Sequence, residues 1–217
     1  MSLEELLRDG APPIIAILRG VRPAEVLDIA GALIDAGIRI IETPLNSPEP
    51  LASIEQVAVR LGERACIGAG TATSAASVDA VADAGGRLIV APNTDQAVIT
   101  RALARGLEVL PGVMTATEAF TAIAAGARHL KLFPAGSLGP GHLRALKEVL
   151  PEDRALWAVG GVSAGNLAQW LEAGATGVGV GGSLYRPGDS PDVVGARATK
   201  LVAAWQTLRP SPQSPKP

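Results

Sequence analysis

The sequence predicts a (β/α)8 barrel, and three of its features do so. Apolar, β-prone runs alternate with helix-length segments along the chain. Glycine closes most of the helical segments, and the pattern recurs about every 20 to 24 residues, the length of one strand, one loop and one helix. Polar and glycine residues gather where the strands would end. Alternating units that add up to eight strands suit a closed barrel better than a doubly wound sheet, which has fewer strands around a switch point.

The elements follow in order. A first strand is expected at 14–18, where Ile14-Ile15-Ala16-Ile17-Leu18 is unbroken by polar residues. A helix at 24–36 ends at Ala36-Gly37 before a strand at 38–41, and a helix at 50–61 ends at Leu61-Gly62 before a strand at 65–68. Ala84-Gly85 stops a helix at 74–84 ahead of a strand at 87–90, and Arg105-Gly106 stops a helix at 95–105 ahead of a strand at 107–110. Ala125-Gly126 separates a helix at 116–125 from a strand at 129–133; Leu150-Pro151 separates a helix at 141–150 from a strand at 155–159. Ala173-Gly174 ends the helix at 163–173 before the strand at 177–180, and a helix at 191–208 completes the set. Residues 1–209 are read as one barrel domain, and the Pro- and Ser-rich segment 210–217 as a disordered tail.

Composition narrows the function. The chain has 217 residues, 47% of them hydrophobic, and a formal net charge of −2, so it can bury one large core and has no cationic surplus for nucleic acid. Its start lacks the basic region of a secretory signal, and no apolar run reaches the roughly 20 residues that span a bilayer, so a cytoplasmic, non-membrane protein is expected. The single cysteine, Cys66, lies in an apolar run and reads as a buried, inert thiol. Two histidines, without a Cys pair or a His-Glu-x-x-His pattern, give no dedicated metal cage. No cofactor is expected.

Barrel enzymes place their chemistry at the C-terminal ends of the strands. Here those ends hold Arg19-Gly20, Glu42-Thr43-Pro44-Leu45-Asn46, Gly68-Ala69-Gly70-Thr71, Pro92-Asn93, Lys131, Gly160-Gly161 and Gly181-Gly182-Ser183. Strand alternation links them: if Lys131 faces inward so do His129 and Phe133, and Ile17 goes with Arg19, Ile40 with Glu42 and Ala69 with Thr71. An amine and a carboxylate on one rim suit Schiff-base chemistry. Each alone also fits a solvated rim residue, Arg19 also fits a counter-ion for Glu42, and Thr71 also fits a helix cap. Their joint position favours function, because an inward charge at the end of so apolar a run is costly unless paired or used.

Glycine pairs follow the seventh and eighth strands. Glycine lets backbone N–H groups approach an anion closely, and barrels often seat a phosphate at these two loops. A phosphorylated small-molecule substrate is expected there.

Taken together, Ile14-Ile15-Ala16-Ile17-Leu18-Arg19-Gly20, Gly68-Ala69-Gly70-Thr71, Ala91-Pro92-Asn93, Leu130-Lys131-Leu132-Phe133-Pro134 and Val159-Gly160-Gly161-Val162 resemble the 2-keto-3-deoxy-6-phosphogluconate/galactonate class I aldolases. Within that family, Pro44 and Asn46 resemble the galactonate branch, because the gluconate branch usually has an arginine at the Asn46 position. The resemblance implies that Lys131 forms the Schiff base and Glu42 shuttles protons. It implies that Arg19 and Thr71 contact the pyruvate carboxylate end, and that Pro92 and Phe133 shape the pocket. Asn46 would read sugar hydroxyls, and Gly160, Gly161, Gly182 and Ser183 would hold the phosphate. The substrate would be a phosphorylated 2-keto-3-deoxy sugar acid, and the assembly a homotrimer. The nearest alternatives are the gluconate epimer or 4-hydroxy-2-oxoglutarate as substrate. A non-covalent phosphosugar isomerase or epimerase, or a phosphosugar-binding barrel, lies further off.

Overall fold

The computed structural model describes residues 1–208; the segment 210–217, expected to be a tail, lies outside the described residues. A short helix α1 (Leu3–Arg8) precedes the repeating units. These are β1 (Ile14–Ile17) and α2 (Val26–Asp35), β2 (Ile40–Pro44) and α3 (Pro50–Leu61), β3 (Cys66–Gly70) and α4 (Ala75–Asp83), then β4 (Leu88–Val90) and α5 (Gln96–Ala104). The fifth strand is split into β5 (Glu108–Leu110) and β6 (Gly112–Val113), followed by α6 (Ala116–Ala124). There follow β7 (His129–Leu132), α7 (Ala135–Leu138), α8 (Pro140–Val149), β8 (Ala155–Val159), α9 (Leu167–Glu172), β9 (Gly177–Val180) and α10 (Pro191–Leu208).

All strand pairs are parallel, in the order β5-β4-β3-β2-β1-β9-β8-β7-β6. The ends of this order meet at Pro111. Proline lacks an N–H and interrupts the ladder, so one expected strand becomes two. Its carbonyl still accepts from the Lys131 N–H at 2.9 Å, while the Ala91 N–H donates to Leu110 on the other side at 3.1 Å. The chain is therefore a (β/α)8 barrel with its ring closed across a proline.

Two apolar layers follow from strand alternation. Leu130, Leu132, Val178 and Ile41 pack outward against the helices, whereas Ile15, Ile40, Leu88, Val90, Leu110, Trp157 and Val159 fill the interior with Cys66. Burial pushes the Cys66 thiol up to about 12, which leaves it an inert core group. Ala69 lies in the outer layer, so β3 turns Cys66, Gly68 and Gly70 inward, and the expected inward pairing of Ala69 with Thr71 is corrected. The repeat glycines act as helix stops: Gly37 and Gly126, for example, take φ of 99° and 103°, a conformation open to glycine at little cost.

Helix α1 closes the barrel at the N-terminal ends of the strands. Ser2 and Glu5 form a capping box, and Leu3 and Leu6 are fully buried against the interior cluster. Above them the Trp157 indole N–H donates to His129 Nδ1 at 3.2 Å, and His129 Nε2 lies 3.0 Å from a Glu4 carboxylate oxygen. Because indole only donates, Nδ1 is the bare nitrogen and Nε2–H donates to Glu4. This chain of bonds ties the plug to β7, the strand that ends in the lysine.

Candidate active site

A cavity of about 540 Å³ opens at the C-terminal rim. It brings together Arg19, Glu42, Lys131, Phe133, Gly160, Gly161, Gly182 and Ser183 from separate strand ends. Ile17, Val159, Val162, Ser163 and Gly181 also line it and were not singled out from the sequence as site residues. Alternation in β8 and the position of Val162 and Ser163 directly after the glycine pair were the available signals. A larger cleft of about 690 Å³, lined by Met1, Glu55 and Arg87 among others, holds neither Lys131 nor Glu42.

Lys131 is held from both sides, opposite Gly112 of β6 and Trp157 of β8. It is only 6% exposed, and its Nζ lies 4.4 Å from the centre of the Phe133 ring. Burial pushes its pKa down towards the neutral amine; Glu42 works against that shift and Arg19 adds to it. Glu42 sits between Ile17 of β1 and Gly68 of β3 and is 2% exposed. Burial raises its carboxyl to about 7 against the pull of Lys131 and Arg19, and its Oε2 has no hydrogen-bond partner. A carboxyl poised there can exchange protons in either direction near neutrality.

Gly70 makes room for that carboxylate. A Cβ on Gly70 would lie 1.4 Å from Glu42 Oε2. The absence of a side chain on β3 is therefore what lets Glu42 stay folded into the mouth.

The remaining expected residues fall around the cavity without lining it. Arg19 Nη1 donates to Asn46 Oδ1 at 2.8 Å, and the Gly20 N–H donates to Ser47 Oγ at 2.9 Å, stitching the ends of β1 and β2 together. Arg19 thus has Asn46 as its hydrogen-bonded partner, and no direct ion pair to Glu42 is present among the described residues. Thr71 follows β3 with φ of 58°, a left-handed conformation unusual for a β-branched residue and often found where strain is used at a site. Pro92 follows β4, and its carbonyl packs against Gly112. On the barrel floor, Glu4, Glu108 and His129 bring three potential ligand atoms within 4.8 Å of one another. The proton that Trp157 imposes on His129 Nε2 makes this a hydrogen-bonded cluster rather than a ligand set.

The profile of the family described as KDPG and KHG aldolase matches residues 3–194. The chain belongs to this family. It is 50% identical over 194 residues to 2-dehydro-3-deoxy-6-phosphogalactonate aldolase of Escherichia coli K12, covering 89% of this chain and 95% of that protein. A solved structure described as native KDPGal superposes with a TM-score of 0.89 at 49% identity, covering 90% of this chain and 95% of the other. A designed porous protein cage, made by fusing symmetric oligomeric domains, superposes at 0.90 and 49% identity over 91% of this chain and 73% of its own. The chain is accordingly an aldolase, a carbon–carbon lyase, and no helix among its described residues is long and apolar enough to cross a membrane.

Two outcomes follow for the aldolase. Gly70→Ala should fold but displace the Glu42 carboxylate, lowering kcat by roughly 10²-fold, the scale of a lost acid–base group. Steady-state kinetics beside a thermal melt checks this, and wild-type turnover would refute it. Glu42→Gln addresses stability. The folded pKa of about 7 exceeds the ordinary 4.5, so between those values the folded chain binds more protons than the unfolded one and stability falls as pH rises. Glu42→Gln should therefore be more stable than the parent above pH 7, by roughly 1–3 kcal/mol, with the difference vanishing at the low end of the window. Urea unfolding at several pH values measures it; coincident curves at pH 8 would contradict it.

Proposed function

We propose that the barrel cleaves 2-keto-3-deoxy-6-phosphogalactonate into pyruvate and glyceraldehyde 3-phosphate through a Schiff base on Lys131. Its main support is one cavity that places a buried amine and a proton-exchanging carboxyl opposite two glycine loops suited to a phosphate. Half-identity to the Escherichia coli galactonate enzyme, together with Pro44 and Asn46, favours this epimer over the gluconate one.

The neutral Lys131 amine attacks C2 of the substrate, and protonated Glu42 supplies the proton with which the C2 oxygen leaves as water. In the resulting iminium, Glu42 as carboxylate removes the C4 hydroxyl proton, through water. The C3–C4 electron pair moves into the iminium as the bond breaks, giving an enamine and free aldehyde. Glu42 then returns the proton to C3, and hydrolysis frees pyruvate and the amine. Arg19 and Thr71 act on the carboxylate end, and Asn46, oriented by its hydrogen bond from Arg19, reads the sugar hydroxyls. Phe133 shapes the pocket wall, Pro92 backs it from outside through Gly112, the neighbour of Lys131, and Gly160, Gly161, Gly182 and Ser183 receive the phosphate, where glycine-loop N–H groups can meet an anion. No cofactor has a part in these steps.

We also infer a homotrimer, supported by the exposed apolar side chains Met114 and Phe120 on one side of the barrel and by the likeness to symmetric oligomeric domains.

Three experiments test these readings. Borohydride should fix pyruvate onto Lys131, and kcat/KM should favour the galactonate epimer by about 10-fold or more, the effect of one unmatched polar group. Failure to label would defeat the covalent mechanism, and equal rates the epimer assignment. Light scattering should give three times the 22.0 kDa chain mass; a monomer mass would defeat the trimer.

A further inference from the structure

The loop after β8 turns through two residues in the left-handed region, Gly160 with φ of 95° and Gly161 with φ of 79°. Glycines tolerate more than one peptide orientation there, so neighbouring groups must select one. Three successive carbonyls of the loop are each taken by a donor at 2.8 Å: Gly160 by the Gly136 N–H, Gly161 by Asn166 Nδ2 and Val162 by Ser183 Oγ. In a trans peptide the N–H points opposite to the C=O. Tying down the Gly160 and Gly161 carbonyls therefore turns the N–H groups of Gly161 and Val162 away from these anchors. Those two N–H groups have no acceptor among the described residues, and both residues line the cavity.

Asn166 grips the loop twice. Besides Nδ2 on the Gly161 carbonyl, its Oδ1 accepts from the Ser163 N–H at 2.8 Å. An amide side chain offers a donor and an acceptor side by side, so one residue satisfies a carbonyl and an N–H that flank the exposed peptides. An aliphatic side chain of the same size would leave both backbone groups without partners.

We propose that Asn166 is a positioning residue for phosphate recognition, holding the Gly161 and Val162 N–H groups towards the substrate's phosphate. This rests on the phosphate reading of the loop given above. Asn166 does not line the cavity, so it acts on binding through the loop and leaves the amine and carboxyl alone.

The test compares wild type, Asn166→Ala and Asn166→Asp in three assays. These are kcat and KM for the phosphorylated sugar acid and for its dephosphorylated form, competitive inhibition by inorganic phosphate, and exchange of the pyruvate methyl protons with deuterium by NMR. The last needs Lys131 and Glu42 but no phosphate. Asn166→Ala should raise KM for the phosphorylated substrate and the phosphate inhibition constant together by about tenfold, the effect of a lost hydrogen-bonded tether, with exchange within about twofold of wild type. Asn166→Asp keeps only the grip on Ser163 and should lose phosphate affinity too. Unchanged KM and phosphate inhibition in both variants, or exchange falling in step with them, would overturn the positioning role. A wild-type enzyme that neither prefers the phosphorylated substrate nor responds to phosphate would overturn the phosphate reading itself.

Discussion

The hydrogen bond from the Lys131 N–H to the Pro111 carbonyl closes the ring of parallel strands, and the geometry of the mouth depends on it. Without pairing to the β5–β6 segment, β7 would be an edge strand with its amide groups free to pair elsewhere. Closed, the ring fixes Lys131 between Gly112 and Trp157 and sets its side chain opposite that of Glu42 across a mouth of fixed radius. The proline that breaks the ladder into two strands costs one N–H, which the pairing of Gly112 with Asn93 partly replaces.

The rim and the floor of the barrel divide function from stability. At the rim two ionisable groups are buried without direct pairing, Thr71 holds a left-handed backbone, and the Gly161 and Val162 N–H groups have no acceptor among the described residues. Each of these opposes folding. At the floor the interior cluster is apolar, α1 fits into it with Leu3 and Leu6, and the polar groups of Trp157, His129 and Glu4 satisfy one another. Destabilising features are therefore concentrated where chemistry needs them and offset by close packing at the opposite end.

Most of the architecture was legible in the sequence because its signals are local. Gly37, Gly85, Gly106, Gly126 and Gly174 all take positive φ, so a recurring small-residue-plus-glycine pattern reported real helix ends. The cluster of Lys131, Glu42 and Gly160 was legible because strand ends of a barrel converge whatever the loops do. What escaped depended on partners distant in sequence. Helix α1 is too short for its periodicity to show, although the Ser2–Glu5 capping box marked its start. The facing of Ala69 was misjudged because β3 runs on to Gly70, and residue alternation stops being a guide at Thr71, where the backbone leaves the strand. Asn166 and Gly70 carry no reactive group, and their roles appear only once Gly161 and Glu42 are seen beside them.

The sealed floor also governs traffic. With α1 seated under the barrel, whatever reaches the lysine and whatever leaves it share one doorway. On the proposed pathway the aldehyde half lies nearer that doorway, while the three-carbon half stays tethered to the amine. Water for the final hydrolysis must then enter through the space the aldehyde has vacated, so the barrel's plug imposes a queue in which the second product cannot be freed ahead of the first.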